Sequence, residues 1–289
     1  MRSKLHAFYI LTKPGIIRGN AVHVLAGVLL ASVMGVNWQA LLGVLVGTSL
    51  IIASACVVNN YIDRDIDRKM KRTKKRPSVT GAISPRAAAS FAAVLAIAGI
   101  YVLSTFTNPT VVIIGVVAYL MYVVVYGYAK RRTAHSTLIG AVPGALPAMA
   151  GYVAIDGVLS LNSLLVFLLV FLWQMPHFYA ISVFRRGEYK AAGVPVLGVV
   201  RPVSVVKRYV LAYMIAYLAC VVLLIGFDVV GPPAGVLLLI GAAYWLVSHA
   251  RIRSANDERW ARSVFGVSLI LTLLLLCAAV LNVFVPPVI

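Results

Sequence analysis

The sequence predicts an all-α protein, a multi-pass bundle of transmembrane helices, from its composition and its long uncharged runs. Hydrophobic residues make up 62% of the 289 positions, whereas soluble domains are nearer half apolar. Several runs of about twenty residues carry almost no charge, which is the length that a helix needs to cross a bilayer. Backbone polar groups in lipid must be paired within the protein. Because the runs are continuous rather than alternating, helices are expected instead of a barrel.

Nine spans are expected in order along the chain. Their approximate limits are residues 16–35, 38–61, 87–106, 110–129, 136–154, 160–182, 207–226, 230–250 and 263–283. The fifth contains the stretch Gly140–Gly151, whose glycines and prolines predict a broken or kinked helix. Small residues there indicate either close packing of neighbouring helices or a bend that shapes a cavity. Since no linker or separate soluble segment interrupts the pattern, residues 1–289 are predicted to form a single membrane domain.

The positive charge of the chain is sorted between the connections. The formal net charge is +18, from 26 Lys and Arg against 8 Asp and Glu. All 26 basic residues fall in the N-terminal region or in the second-to-third, fourth-to-fifth, sixth-to-seventh and eighth-to-ninth connections. Because basic connections stay in the cytoplasm, this sorting predicts an N-terminus inside and a C-terminus outside. It also explains the charge without nucleic acid as a partner.

A polar motif begins at the cytoplasmic end of the second span. Asn59, Asp63 and Asp67 recur every four residues, so on a helix they stack on one face. Two carboxylates and an amide oxygen are hard ligands that suit Mg²⁺. Acids at a membrane boundary are costly and indicate function, although a solvated charged loop is the alternative. Asp65 is expected to point away from the shared face.

Basic residues around this motif predict a diphosphate site. Magnesium and cationic side chains stabilise the charge that grows on a diphosphate as it leaves. The candidate diphosphate-binding residues are Arg64, Lys71, Arg72, Lys75, Arg76 and Lys130.

Four stretches give the chain a family resemblance. The pattern N-x-x-x-D-x-x-x-D after an early span resembles the first motif of the UbiA superfamily of intramembrane prenyltransferases. The longer string NNYIDRDIDRKM, which begins at Asn59, is similar to the heme O synthase branch of that superfamily. The other three stretches agree with this branch, and they are Leu11–Ile17 (LTKPGII), Trp173–Ile181 (WQMPHFYAI) and Glu188–Leu197 (EYKAAGVPVL).

The resemblance implies a fold and a reaction. It implies nine helices around a central cavity, in the bacterial cytoplasmic (inner) membrane with the active site on the cytoplasmic side. It also implies transfer of farnesyl from farnesyl diphosphate to a vinyl group of heme b, with Mg²⁺ as cofactor. The product, heme O, would serve a downstream heme A synthase or terminal oxidase. The implied catalytic residues are Asn59, Asp63, Asp67, Glu188 and His177, of which the first three would hold the metal.

The sixth-to-seventh connection departs from the superfamily pattern. Many members carry a second pair of aspartates there, whereas Glu188 is the only acid between Asp156 and Asp228. A full second metal site is therefore not expected, and arginines could meet phosphate or heme propionates directly. The heme-binding candidates are His177, Arg185, Arg186 and Lys190, with His23 in the first span as a secondary candidate.

Two rival functions remain open at this point. A prenyltransferase acting on a quinone precursor is the nearest, and the stretches Trp173–Ile181 and Glu188–Leu197 argue against it. A transporter with an ion site at the membrane midplane is the other, and the position of the acids at the cytoplasmic rim argues against that. Ring faces attract cations, so aromatic residues such as Tyr122 and Tyr126 could shield an allylic cation, although ordinary packing would explain either ring.

Overall fold

The computed structural model describes residues 4–33, 35–252 and 256–287, and within these ranges the protein is all-α. Nine helices of the described part are long and apolar enough to cross a membrane, which confirms the expected number of spans. Spans 1 to 9 are Pro14–Ala31, Trp38–Ile62, Pro85–Phe106, Pro109–Ala129, Ser136–Asp156, Leu161–Phe184, Val203–Gly226, Pro232–Ile252 and Asp257–Phe284. Span 9 shows the largest difference from the sequence limits, since it begins at Asp257 rather than near residue 263.

Short helices lie in the N-terminal region and in two of the connections that carry basic residues. Lys4–Leu11 precedes span 1. The other short helices are Arg64–Lys69 and Pro77–Thr80 after span 2, and Arg186–Ala192 and Leu197–Val200 after span 6. Span 4 contains a π-helical segment, Met121–Tyr126, between the α-helical segments Pro109–Leu120 and Gly127–Ala129.

Local sequence signals explain where several spans begin. Span 3 starts at a proline, and the Ser84 side chain accepts a hydrogen bond from the Ala87 N–H at 3.2 Å. Span 4 also starts at a proline, and Asn108 caps it by accepting from the Val111 N–H at 3.1 Å. Proline in the first turn and Ser or Asn at the N-cap are favoured because the first N–H groups of a helix lack helical partners.

The two largest apolar cores of the described residues hold most of the spans together. The larger core is formed mainly by spans 5 to 9 with residues of span 1, and the second by spans 1 to 5. Spans 1 and 5 contribute to both cores, so they lie between the two halves of the bundle. Side chains on the outer surface are largely apolar, as expected for helices that face lipid.

Glycines allow spans 1 and 5 to approach closely. A Cβ atom at Gly27 would overlap the Ala148 carbonyl oxygen, and one at Gly151 would overlap the Val24 carbonyl oxygen. Span 5 nevertheless continues from Ser136 to Asp156 with two prolines inside it, so the helix is not broken. Close packing through small residues therefore accounts for these contacts of the glycine-rich stretch.

Reporter fusions test which end of the bundle faces the cytoplasm. Asp156 ends span 5 and Asp228 follows span 7, so a reporter fused at either position is expected outside, because both connections lack basic residues. A fusion at His135, in a basic connection, should report the cytoplasm and serves as the control. Cytoplasmic signals at both aspartates would contradict the predicted orientation. Arg2 and Arg253, which the charge sorting also uses, lie outside the described residues.

Candidate active site

Asn59, Asp63 and Asp67 lie together although the helix that carries them is interrupted. Span 2 ends at Ile62, and the next short helix begins at Arg64. Backbone hydrogen bonds continue across the junction, from the Asp63 N–H to the Asn59 carbonyl at 2.9 Å and from the Asp67 N–H to the Asp63 carbonyl at 2.8 Å. The four-residue stacking is therefore retained, and all three side chains are buried.

Lys130, directly after span 4, pairs with Asp63. Its Nζ donates to Asp63 Oδ2, and both side chains are buried. Burial lowers the pKa of the Lys130 ammonium, and the Asp63 carboxylate opposes that shift. The other oxygen, Asp63 Oδ1, is buried and has no hydrogen-bond partner among the described residues. A buried carboxylate oxygen without a partner is costly, so this atom is available to a ligand.

Two tyrosines of the π-helical segment lie beside this pair. The rings of Tyr122 and Tyr126 are stacked with centroids 5.6 Å apart. The Lys130 Nζ is 5.3 Å from the centroid of the Tyr126 ring. Because π-helical turns are rare and frequently occur at functional sites, this segment marks one wall of the site.

Arg76 pairs with Asp67 and is held by a second asparagine. Its Nη1 donates to Asp67 Oδ2 at 2.6 Å and to Asn60 Oδ1 at 3.2 Å. Asn60 is buried, and its Nδ2 donates to the Leu11 carbonyl at 2.7 Å. Asn60 thus joins Arg76 to the turn before span 1. Sequence reasoning missed this residue, although two adjacent asparagines at the end of an apolar helix were a signal.

Lys13 is a second residue that sequence reasoning did not assign to the site. Its Nζ donates to Asn59 Oδ1 at 3.1 Å. Burial lowers the pKa of the Lys13 ammonium to about 8. Its position directly before Pro14, within the stretch Leu11–Ile17, is the signal that could have identified it.

Three other predicted diphosphate ligands form no ion pair with the acids in the described part of the chain. Lys71 and Lys75 are exposed, and neither forms an ion pair among the described residues. Thr73 is buried between them and donates to the Asp67 carbonyl at 2.9 Å, so the chain turns with the two lysines toward solvent. Arg64 has a buried Nε without a hydrogen-bond partner in the described part.

Asp65 lies on the opposite side of the motif from its two neighbouring acids. Both of its carboxylate oxygens accept from Arg131 at 2.7 Å. This two-fold hydrogen bond holds the pKa of Asp65 at about 2, well below the ordinary value. Its side chain is 62% exposed, so Asp65 is not part of the buried cluster.

Glu188 joins the second-to-third and the sixth-to-seventh connections. Its Oε1 accepts from Arg185 Nη1 at 2.9 Å, and its Oε2 lies 3.8 Å from Arg72 Nε. A small apolar core next to these ion pairs brings Ile66 and Met70 against the segment Ala192–Val196. The sixth-to-seventh connection is therefore docked on the acidic motif, with one acid and two arginines at the junction.

His177 lies within span 6 in an aromatic cluster. Its Nδ1 is 2.8 Å from Ser268 Oγ. Since Ser268 Oγ already donates its hydrogen to the Phe265 carbonyl at 2.6 Å, the Nδ1–H of neutral His177 must be the donor. The lone pair then resides on Nε2. Trp173 stacks on this ring with the centroids 5.1 Å apart, and the rings of His23 and Trp173 meet edge to face at 5.0 Å.

The same aromatic cluster continues to Arg185 and Arg262, which together form a basic rim. Phe265 contacts both His177 and Phe184, with centroids 4.8 and 5.6 Å apart. Arg185 and Arg262 lie over Phe184, at 5.5 and 5.2 Å from its centroid. An aromatic wall therefore runs from His177 to two arginines. Two other heme-binding candidates, Arg186 and Lys190, are exposed beyond this rim.

The donor atoms present fit Mg²⁺. No group of three or more His, Cys, Asp or Glu in the described ranges could hold a metal alone. Asn59, Asp63 and Asp67 supply two carboxylates and an amide oxygen, and Mg²⁺ typically uses one or two carboxylates together with substrate phosphates and water. The buried and unpartnered Asp63 Oδ1 is the atom that such an ion would satisfy.

Known proteins resemble this chain over most of its length. The UbiA prenyltransferase family matches residues 20–276. The protoheme IX farnesyltransferase of Citrobacter koseri is 44% identical over 265 residues, which cover 90% of this chain and 88% of that protein. A protoheme IX farnesyltransferase of Yersinia enterocolitica is 41% identical over 261 residues, again covering 90% and 88% of the two chains.

Solved structures share the arrangement of helices. A structure of digeranylgeranylglyceryl phosphate synthase in membranes matches with a TM-score of 0.80 and 20% identity, over 97% of this chain and 98% of that one. A UbiA homolog from Archaeoglobus fulgidus, bound to GPP and Mg²⁺, matches with a TM-score of 0.69 and 14% identity, over 94% and 99% of the two chains. At these identities the similarity concerns the fold.

Proposed function

The chain belongs to the UbiA prenyltransferase family, in its protoheme IX farnesyltransferase branch, and from this premise we propose its reaction and the residues that perform it. It is a multi-pass membrane enzyme that transfers the farnesyl group of farnesyl diphosphate to a vinyl group of heme b. Water is added in the same reaction, and the products are heme O and diphosphate. The names of the 41% and 44% identical relatives favour heme over a quinone precursor as the acceptor.

The observation that carries the proposal is the buried cluster of acids and cations at the C-terminal end of span 2. Asn59, Asp63 and Asp67 would hold Mg²⁺, which when bound offsets the charge on the leaving diphosphate. Lys130 and Arg76 now occupy the two carboxylates. A metal held by these carboxylates would compete with the two ion pairs, and Lys130 and Arg76 could then donate to diphosphate oxygens, which are strong charge-assisted acceptors.

The reaction begins with cleavage of the bond between farnesyl C1 and oxygen. The electron pair leaves with the diphosphate, and an allylic cation remains on the farnesyl chain. A vinyl carbon of heme attacks C1, and water adds to the cation formed on the neighbouring vinyl carbon and then loses a proton. The stacked rings of Tyr122 and Tyr126 lie beside Lys130, one of the cations proposed to bind diphosphate. At this position the ring faces can stabilise the allylic cation.

Heme b is proposed to lie along the aromatic wall between His177 and the basic rim. The Nε2 atom of His177 carries the lone pair, so it can bind iron or accept a proton. Arg185 at the rim would meet the heme propionates, with Arg186 and Lys190 at the outer edge, because arginine forms paired hydrogen bonds with carboxylates. Arg262, beside Phe184, is added to this group.

The cellular setting follows from the same premise. We propose that the protein lies in the bacterial cytoplasmic (inner) membrane with the site on the cytoplasmic side. Heme O would pass to a heme A synthase or to a terminal oxidase.

A direct assay tests the proposed reaction. Purified protein is incubated with heme b, farnesyl diphosphate and Mg²⁺, and the heme products are identified by mass. The expected product is heme b increased by one farnesyl group and one hydroxyl group, and its formation should stop when EDTA removes the metal. A prenylated quinone precursor formed in a parallel reaction, without any change in the mass of heme, would overturn the assignment.

Glu188→Gln is expected to slow the chemical step more than substrate binding. Glutamine keeps the shape and the hydrogen bond from Arg185, but it removes the charge that could assist the metal or the water. A fall in kcat of roughly 100-fold is expected, the size typical of acid–base assistance, with KM for both substrates changed little. Asp156→Asn, which changes an exposed acid at the end of span 5, is the control. Equal kcat in the two variants would remove Glu188 from the chemistry.

A further inference from the structure

Lys13 differs from the other two cations of the buried cluster in its partner. Lys130 pairs with Asp63 and Arg76 pairs with Asp67. Lys13 donates to the neutral amide oxygen of Asn59 and has no carboxylate partner among the described residues. We propose that Lys13 is a further diphosphate-binding residue, which turns from Asn59 to the leaving group when the metal binds. This inference rests on the proposed function.

The charge of the cluster supports this role. Its two carboxylates and three cations leave one positive charge, and that surplus is the one Lys13 contributes. A diphosphate ester carries about three negative charges near neutral pH. One Mg²⁺ together with the surplus charge therefore balances it, and no second metal ion is needed. The cluster without Lys13 would be neutral before the metal binds.

If Asn59 holds the metal, the Lys13 ammonium would have to leave its present partner. The amide oxygen Asn59 Oδ1 is one of the three proposed metal ligands, and it now accepts from the Lys13 ammonium. An ammonium and a divalent metal repel each other strongly at one oxygen in a buried site. The flexible lysine side chain can move, and the diphosphate on the same metal is the nearest new source of negative charge.

The backbone at Lys13 is held in an unusual conformation. Lys13 has left-handed backbone angles, φ 53° and ψ 65°, directly before Pro14. That conformation is unfavourable for a residue with a Cβ atom, and it persists only where surrounding contacts impose it. Asn60 provides such a contact by donating to the Leu11 carbonyl. The two adjacent asparagines of span 2 therefore fix the turn and meet the Lys13 ammonium.

Binding of Mg²⁺-diphosphate to the full-length protein, measured by calorimetry without heme, tests the proposal. Lys13→Met is expected to weaken binding of inorganic diphosphate and of farnesyl diphosphate about 10- to 100-fold, the usual effect of losing one hydrogen bond to a charged group. Lys13→Gly should lose as much, although glycine relieves the left-handed strain and favours folding. Lys4→Met, on the exposed helix before the turn, is the matched control and should bind like the wild type.

Three outcomes would overturn the role of Lys13. Wild-type affinity in Lys13→Met would mean that the cation is not used. Wild-type affinity in Lys13→Gly together with loss in Lys13→Met would mean that the methionine side chain, and not the lost ammonium, weakens binding. If the wild-type protein itself binds neither ligand, the proposed function fails and this inference fails with it.

Discussion

Asp63→Asn and Asp67→Asn are each expected to reduce turnover by about 100- to 1,000-fold, the effect of removing one group that stabilises a developing charge. Each carboxylate is buried and paired, and each is a proposed ligand of the metal. Asparagine keeps the size of the side chain but cannot supply a charged oxygen. The measurement is the initial rate of heme O formation at several Mg²⁺ concentrations, with folding checked by thermal unfolding.

The choice of asparagine separates chemistry from folding. Asp63→Ala would leave the Lys130 ammonium buried without a partner, and removing one member of a buried ion pair costs about 3–5 kcal/mol. Alanine variants are therefore expected to lose both activity and stability. Asparagine can still accept a hydrogen bond from Lys130, so a loss of activity in that variant reports on the metal site.

Asp65→Asn is the matched control for both substitutions. It makes the same chemical change within the same motif, but Asp65 is exposed and pairs with Arg131 on the outer face. Exposed ion pairs contribute about 0.2–1 kcal/mol, so near-normal turnover and stability are expected. If a folded Asp63→Asn or Asp67→Asn protein is as active as Asp65→Asn, that residue does not belong to the mechanism.

His177→Ala, Arg185→Ala and Arg186→Ala are expected to weaken heme binding more than farnesyl diphosphate binding. His177→Ala should have the largest effect, about 100-fold, because it removes a proposed iron ligand or proton acceptor held by Ser268. Arg185→Ala should follow, since Arg185 lies at the end of the aromatic wall. Arg186→Ala should have the smallest effect because its side chain is exposed.

Separate titrations of the two substrates distinguish these effects. Heme b is titrated by its absorbance, and farnesyl diphosphate with Mg²⁺ by calorimetry. His135→Ala, which removes an exposed histidine in another connection, should leave both affinities unchanged. If the three variants bind heme normally and lose only farnesyl diphosphate, the sixth-to-seventh connection serves the leaving group. The assignment of that connection to heme would then be wrong.

Local properties of the sequence determined the fold class, the number of spans and the spacing of the acidic motif. A spanning helix requires a long apolar run, and such a run can be read without knowing what packs against it. Backbone geometry likewise stacks residues four positions apart, and the stacking of Asn59, Asp63 and Asp67 is retained across the helix junction at Asp63. These features depend only on neighbours along the chain.

Only the tertiary structure decided which charged and polar groups meet. The partners are far apart in the chain, with a separation of 67 positions for Lys130 and Asp63, 46 for Lys13 and Asn59, and 91 for His177 and Ser268. In the sequence the basic residues look alike, and exposed Lys71 cannot be told from a buried cation. Contact between distant residues depends on how the spans are rotated and how closely they cross. Packing sets both, as where Gly27 and Gly151 let spans 1 and 5 touch.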